Sequence, residues 1–139
     1  MLTKYDAKKN APLVGKIVFF MSSLSRPTSK PYLVVEETKA SIKCRPARLD
    51  ESKNANADPA APLSRWSDIT IADFEEWNDI QEATKRKSGI LYVADTLEEA
   101  LPLYNASCRY EREIEIARRL AMREWKENSA RLLGCASDI

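Results

Sequence analysis

The chain has 139 residues, 44% hydrophobic and 31% charged, with three cysteines and no histidine; these proportions fit a globular domain with its own core and exclude wholesale disorder. Its longest apolar run, Ile17 to Met21, falls far short of the roughly 18 residues needed to span a bilayer, so no membrane partner is expected. A net charge of +1 excludes the strongly basic balance typical of dedicated nucleic-acid binders.

That sum hides a division. Residues 1 to 66 carry twelve bases and six acids, net +6, whereas the remainder carries ten bases and fifteen acids, net −5. The opening "MLTKYDAKKNAPL" lacks the apolar core of a secretory signal, and Cys44, Cys108 and Cys135 are odd in number and widely spaced. Both features point to a cytoplasmic protein with free thiols.

In chain order, "LVGKIVFFM" reads as a strand, with Ile17, Phe19 and Met21 expected inward and Lys16, Val18 and Phe20 outward. "SSLSRPTSKP" has the composition of a mobile loop, and "PYLVVEE" and "SIKCRPARL" follow as strands, the second expected to end at Pro46 or lie at an edge. Residues 50 to 64 contain a single large apolar residue and read as a flexible loop. Thr70 and Asp73 then form a capping-box pattern, acids come early and bases late, and Gly89 supplies a stop, so the spacing predicts a helix over 71–87. "GILYVA" reads as a strand covered on both faces, Thr96 to Glu99 opens a helix over 97–101 that Pro102 should stop or kink, and a long amphipathic helix is predicted over 107–133, ended by Gly134.

The expected architecture is therefore an α+β fold in a single domain, residues 1–139: a small antiparallel sheet or SH3-like barrel over 13–49, a strand at 90–94, and C-terminal helices including one long amphipathic helix. Without histidine the commonest general base, the nucleophile pairs built on it and the most frequent metal ligand are all missing. No pair of cysteines has metal-ligand spacing, and neither GxGxxG nor GxxxxGK[ST] occurs. No catalytic residue, metal or cofactor is expected, and the chain reads as a non-enzyme.

Two surfaces remain as candidates. From residue 67 to 101 there are nine acids and three bases. Phe74 and Trp77, flanked by Glu75 and Asp79, would give the predicted acidic helix an aromatic edge suited to a basic groove on a protein partner. The favoured function is a small modulator that binds a protein partner through this helix or the long C-terminal one, in the manner of a phage or mobile-element regulator or inhibitor of a host enzyme. Helix-mediated pairing of two copies is a further arrangement of the same kind. The alternative is a nucleic-acid-binding barrel in which Lys16, Lys43 and Arg45 neutralise phosphates while a base stacks on Phe20.

The stretch "GKIVFF…RPTSKPYLVV", about residues 15 to 35, resembles the opening of MazF/PemK-type toxins, small barrels in which a strand beginning G-x-I-V leads through a flexible basic loop to a strand opening with Pro. The resemblance implies a barrel-type endoribonuclease in which Arg26 would be the loop arginine that cuts RNA together with a hydroxyl residue after the third strand. No residue following "SIKCRPARL" matches that hydroxyl, the long helical C-terminus departs from the pattern, and the chain is not assigned to the family.

Overall fold

The computed structural model describes residues 1–24, 26–49 and 66–134; the loop expected over 50–64, and Cys135, lie outside them. Among the described residues seven strands, β1 (Thr3–Lys4), β2 (Ile17–Phe20), β3 (Tyr32–Glu37), β4 (Ser41–Leu49), β5 (Phe74–Trp77), β6 (Ala83–Arg86) and β7 (Ile90–Ala94), precede one α-helix, α1 (Leu97–Leu133). The strands form one antiparallel sheet in the order β1-β7-β2-β3-β4-β5, with β6 also paired to β4. This is the expected α+β architecture. Among the described residues no ladder joins β1 to β5 or β6, so the barrel is not closed.

The sheet nevertheless curls. In the order β2-β3-β4-β6, three strand spacings, about 14 Å if flat, separate β2 from β6. Yet Lys85 Nζ of β6 lies 5.0 Å from the Phe20 ring and 5.4 Å from that of Tyr32. Curling creates two apolar layers. Leu13, Val18, Phe20, Val34, Ile42, Cys44, Ile90 and Val93 fill the concave face, while Ile17, Phe19, Ile69, Ala94, Ala100 and Tyr104 pack between the convex face and α1.

Alternation along β2 thus feeds both layers, and all four of its residues are buried. This corrects the expectation that Val18 and Phe20 face outward: Phe20 packs edge-on against Tyr32, centroids 5.4 Å apart, inside the curl. Ile42 and Cys44 share its layer rather than that of Ile17 and Phe19. Burial pushes the Cys44 thiol up to about 11.

The helix predicted over 71–87 does not form. Thr70 and Asp73 do make the capping pair, the Thr70 amide donating to Asp73 Oδ2 at 2.7 Å, but it opens only a single turn of 3-10 helix, Ile71–Asp73. β5 and β6 follow, joined by a turn in which Asn78 Oδ1 accepts from the amides of Ile80 and Gln81 at 3.1 and 3.3 Å. Both strands lie on one edge of β4, β6 against its first half and β5 against its end. The register opposes Arg48 to Glu76 and Leu49 to Phe74, which leaves Glu75 as a bulge. That extra residue puts Phe74 and Trp77, three apart, on one face in a strand. A spacing of three, read as helical, is here a turn of 3-10 helix followed by a bulged strand.

Pro46 does not end β4, because it sits opposite the gap between β5 and β6. Its carbonyl accepts from the Asn78 amide at 2.8 Å, and the next amide, of Ala47, donates to Pro31 at 3.0 Å. Nor does Pro102 break α1, which runs unbroken for 37 residues. The lost hydrogen bond and ring clash cost about 3 kcal/mol in a free helix; here Leu97, Leu101, Leu103 and Tyr104 on both sides of it pack on the convex layer and hold the helical path. Gly134, at φ 70°, ends the helix in the left-handed region as expected.

After β2, the chain is tied down at Thr28 and Ser29. Ser29 accepts from the Phe20 amide through its hydroxyl at 3.0 Å and donates its own amide to Phe20 O at 2.9 Å. Ser107 of α1 brackets Thr28, its hydroxyl accepting from the Thr28 amide at 3.4 Å and donating to the Thr28 carbonyl at 3.3 Å.

Candidate functional site

The residues expected to contact a basic protein groove are placed by β5 and the turn after it. Phe74 and Trp77 pack as half-buried members of the convex apolar layer, beside Leu33 and Leu49. Glu75 and Glu76 point away from that layer and share Arg48, at 3.0 and 3.1 Å. Asp79 lies exposed in the turn, where its carbonyl accepts from the Glu82 amide at 3.2 Å. What the sequence offered as an acidic aromatic helix edge is a strand whose rings serve the core and whose acids hold Arg48 of β4.

The cations of the nucleic-acid alternative are similarly occupied. Glu82 receives Arg45 Nε at 2.5 Å and Lys43 Nζ at 3.7 Å, and Lys43 also approaches Glu36 at 3.6 Å. Lys16 Nζ holds Asp95 at 2.7 Å. A polyanion would have to displace each carboxylate, and Phe20 offers no open face for stacking. The two charge populations of the sequence therefore meet in space: acids of residues 75–111 neutralise bases of residues 16–48.

Two carboxylates, Asp95 and Glu37, carry a pH dependence. The Lys16 ammonium, then the Met1 amine, hold Asp95 down to about 2. For Glu37 burial works upward, but hydrogen bonds from Lys87 and from the Leu13 amide outweigh it and leave the carboxyl below its ordinary value. Carboxyls lowered in the folded state contribute stability above their unfolded pKa, and that contribution disappears as pH falls through the folded value. Unfolding midpoints of wild type and Lys16→Gln should therefore differ near pH 6 and converge as pH falls from about 4 toward about 2; a gap that persists at the acid end would disprove the pairing.

A cleft of about 290 Å³ opens where the 22–31 loop meets α1, lined by Arg26, Lys30, Trp66, Tyr104, Cys108 and Glu111 among others. Arg26 Nε meets Glu111 Oε2 at 2.5 Å and its Nη2 lies 3.9 Å from Cys108 Sγ. Burial raises both the Tyr104 hydroxyl and the Cys108 thiol, so each stays protonated near neutrality. Cys44 and Cys108 are free, as expected. Arg26, the residue that the toxin resemblance would make catalytic, is thus a bridge from the loop to the helix.

The far part of α1 is exposed from Ala117 to Asn128, beyond which Ala130 is buried again. At about 1.5 Å per residue the helix is about 55 Å long. Ala100, Tyr104 and Ser107 bury one face near its start, whereas every side chain from Ala117 to Asn128 is exposed. Trp125 is 64% exposed, Leu120 52% and Met122 54%. The apolar stripe Tyr110, Ile114, Ala117, Ala121, Trp125 was legible in the sequence; its lack of a partner was not. One signal was available: at about 100° per residue this stripe is rotated about 70° from the face carrying Ala100, Tyr104 and Ser107, so one straight helix cannot lay both on the same sheet. Intrahelical pairs, Arg109 with Glu113 at 3.5 Å and Arg119 with Glu115 at 2.5 Å, support the helix along its length.

No protein family, curated protein or solved structure matches this chain, and no described helix is long and apolar enough to cross a membrane.

Proposed function

We propose that the chain is a protein-binding module, acting as a small modulator by contact rather than as a catalyst, and that its contact surface is the far half of α1. The observation that carries this reading is Trp125, 64% exposed on the stripe it shares with Ala117 and Ala121, within a stretch, residues 117–128, where every side chain is exposed. Exposed apolar surface of this kind is costly to leave in water and marks contact sites, and Trp is the residue most enriched among binding hot spots. The paired cations of the sheet make the nucleic-acid reading the weaker of the two.

Trp125→Ala tests it. The substitution lies outside both apolar layers, so stability should change by no more than about 0.5 kcal/mol. Retention of bound protein from a cell extract by the immobilised chain should fall roughly tenfold or more. Equal retention by wild type and variant would remove the far half of α1 as the contact surface.

A further inference from the structure

We propose that the partner docking on the far half of α1 is an acidic protein segment carrying apolar side chains, received by the arc Arg118, Met122, Trp125 and Lys126; this rests on the far half of α1 being a contact surface. At about 100° per residue these four positions fall within about 100° of the helix circumference, and all four side chains are exposed. Met122 and Trp125 are each more than half exposed. The two acids of the stretch 117–128, Glu124 and Glu127, each lie about 150° from the centre of that arc. Charge is therefore sorted around the helix: the side that carries Met122 and Trp125 is cationic, and the acids turn away from it.

Neither cation of the arc is neutralised by its own helix. The positions four residues before and after are Ile114 and Met122 for Arg118, and Met122 and Ala130 for Lys126, so no carboxylate stands at the spacing where helix pairs form. Among the described residues neither belongs to an ion pair. Glu115, one turn earlier on the same arc, is held by Arg119 at 2.5 Å. Lys16, Arg45 and Arg48, by contrast, each meet a carboxylate, at 2.7, 2.5 and 3.0 Å. The fold satisfies these bases of its sheet from within and leaves Arg118 and Lys126 for an acid from outside.

The order along the arc sets the chemistry of the occupant. Arg118 and Lys126 are about 12 Å apart along the axis, with Met122 and Trp125 between them. A complementary surface carries carboxylates at about that separation and apolar side chains in the middle, so that the rings and thioether anchor while the charges select and steer. A nucleic acid fits less well: two cations cover little of its phosphate charge, and the middle of the arc offers a phosphate nothing.

A fluorescently labelled random copolymer of glutamate and tyrosine supplies both kinds of side chain, and its binding to the full chain can be followed by anisotropy. Affinity should fall about tenfold between roughly 50 and 300 mM salt. Trp125→Ala should lower it about tenfold or more, and so should the pair Arg118→Glu and Lys126→Glu, at unchanged circular dichroism. Lys8→Glu with Lys9→Glu makes the same change of net charge at exposed positions elsewhere, and should alter affinity by less than about twofold. Polyglutamate of the same length, without rings, should bind more weakly than the copolymer. A copolymer that does not bind, a loss as large from the Lys8 and Lys9 pair, or single-stranded RNA bound more tightly through Arg118 and Lys126 would each overturn the proposal. Loss with Trp125→Ala but not with the Arg118 and Lys126 reversals would end the acidic partner and leave the contact surface in place; no loss with either would remove the contact surface as well.

Discussion

Phe19→Ala should destabilise the chain by about 3–5 kcal/mol, the largest effect expected of any single substitution here. Phe19 lies at the centre of β2, is fully buried, and fills the layer between the sheet and α1 together with Ile17, Ile69 and Tyr104. Removing the ring loses its transfer energy and leaves a void bounded by a ladder on one side and a helix on the other, neither of which can close on it alone. Against a total of about 5–15 kcal/mol for a native domain, the variant should unfold at a much lower urea concentration. Phe19→Leu, which keeps most of the volume, should cost less than half as much. Equal midpoints for wild type and Phe19→Ala would mean that α1 does not rest on this face.

Asn105→Leu should cost about 2–4 kcal/mol, although it replaces a polar side chain with an apolar one of similar size. Asn105 Oδ1 accepts from the Ile69 amide at 2.8 Å and its Nδ2 donates to the Ile69 carbonyl at 3.0 Å. The side-chain amide thus takes the place of a neighbouring strand for a buried residue that has no ladder of its own. Leucine would strand both backbone groups and fill the space through which water could reach them. Asn105→Asp keeps the acceptor and loses the donor, so its urea midpoint should fall between the two. A Leu variant as stable as wild type would show that the segment leading into β5 is held by other means.

How much of this was legible in the sequence depended on whether local and tertiary preferences agreed. They agreed for the β-branched and aromatic runs that became β2, β3 and β7, for Thr96, whose hydroxyl accepts from the Glu99 amide at 3.2 Å, and for Gly134. They disagreed over 71–87. There the order of acids and bases satisfied a helix dipole, and Ile71, Phe74, Trp77 and Ile80 recurred every third residue. The competing term was long-range and invisible to local pattern: β4 presents Arg45 and Arg48 along an otherwise unpaired edge, and Glu75, Glu76 and Glu82 satisfy them only from an extended chain. Ile80, expected on the apolar stripe, ends 88% exposed at the tip of the turn. The site followed the same logic. The long helix was recognised as a contact candidate from its stripe, whereas the Trp77 segment and the cations Lys16, Lys43 and Arg45 were judged on composition; the fold sets Lys43 and Arg45 against Glu82 of that segment and Lys16 against Asp95.

The position of β7 within the sheet constrains how the chain can assemble. Ile17 pairs with Ala94 and Thr3 with Val93, so the strand that separates β1 from β2 arrives only after most of the chain has emerged. Until then β2 has an open side, and no stable N-terminal half exists to template the rest. Contacts that span so much sequence slow the search for the native state. During synthesis that open edge can mispair with other nascent chains until residues 90–94 leave the ribosome and pair with it.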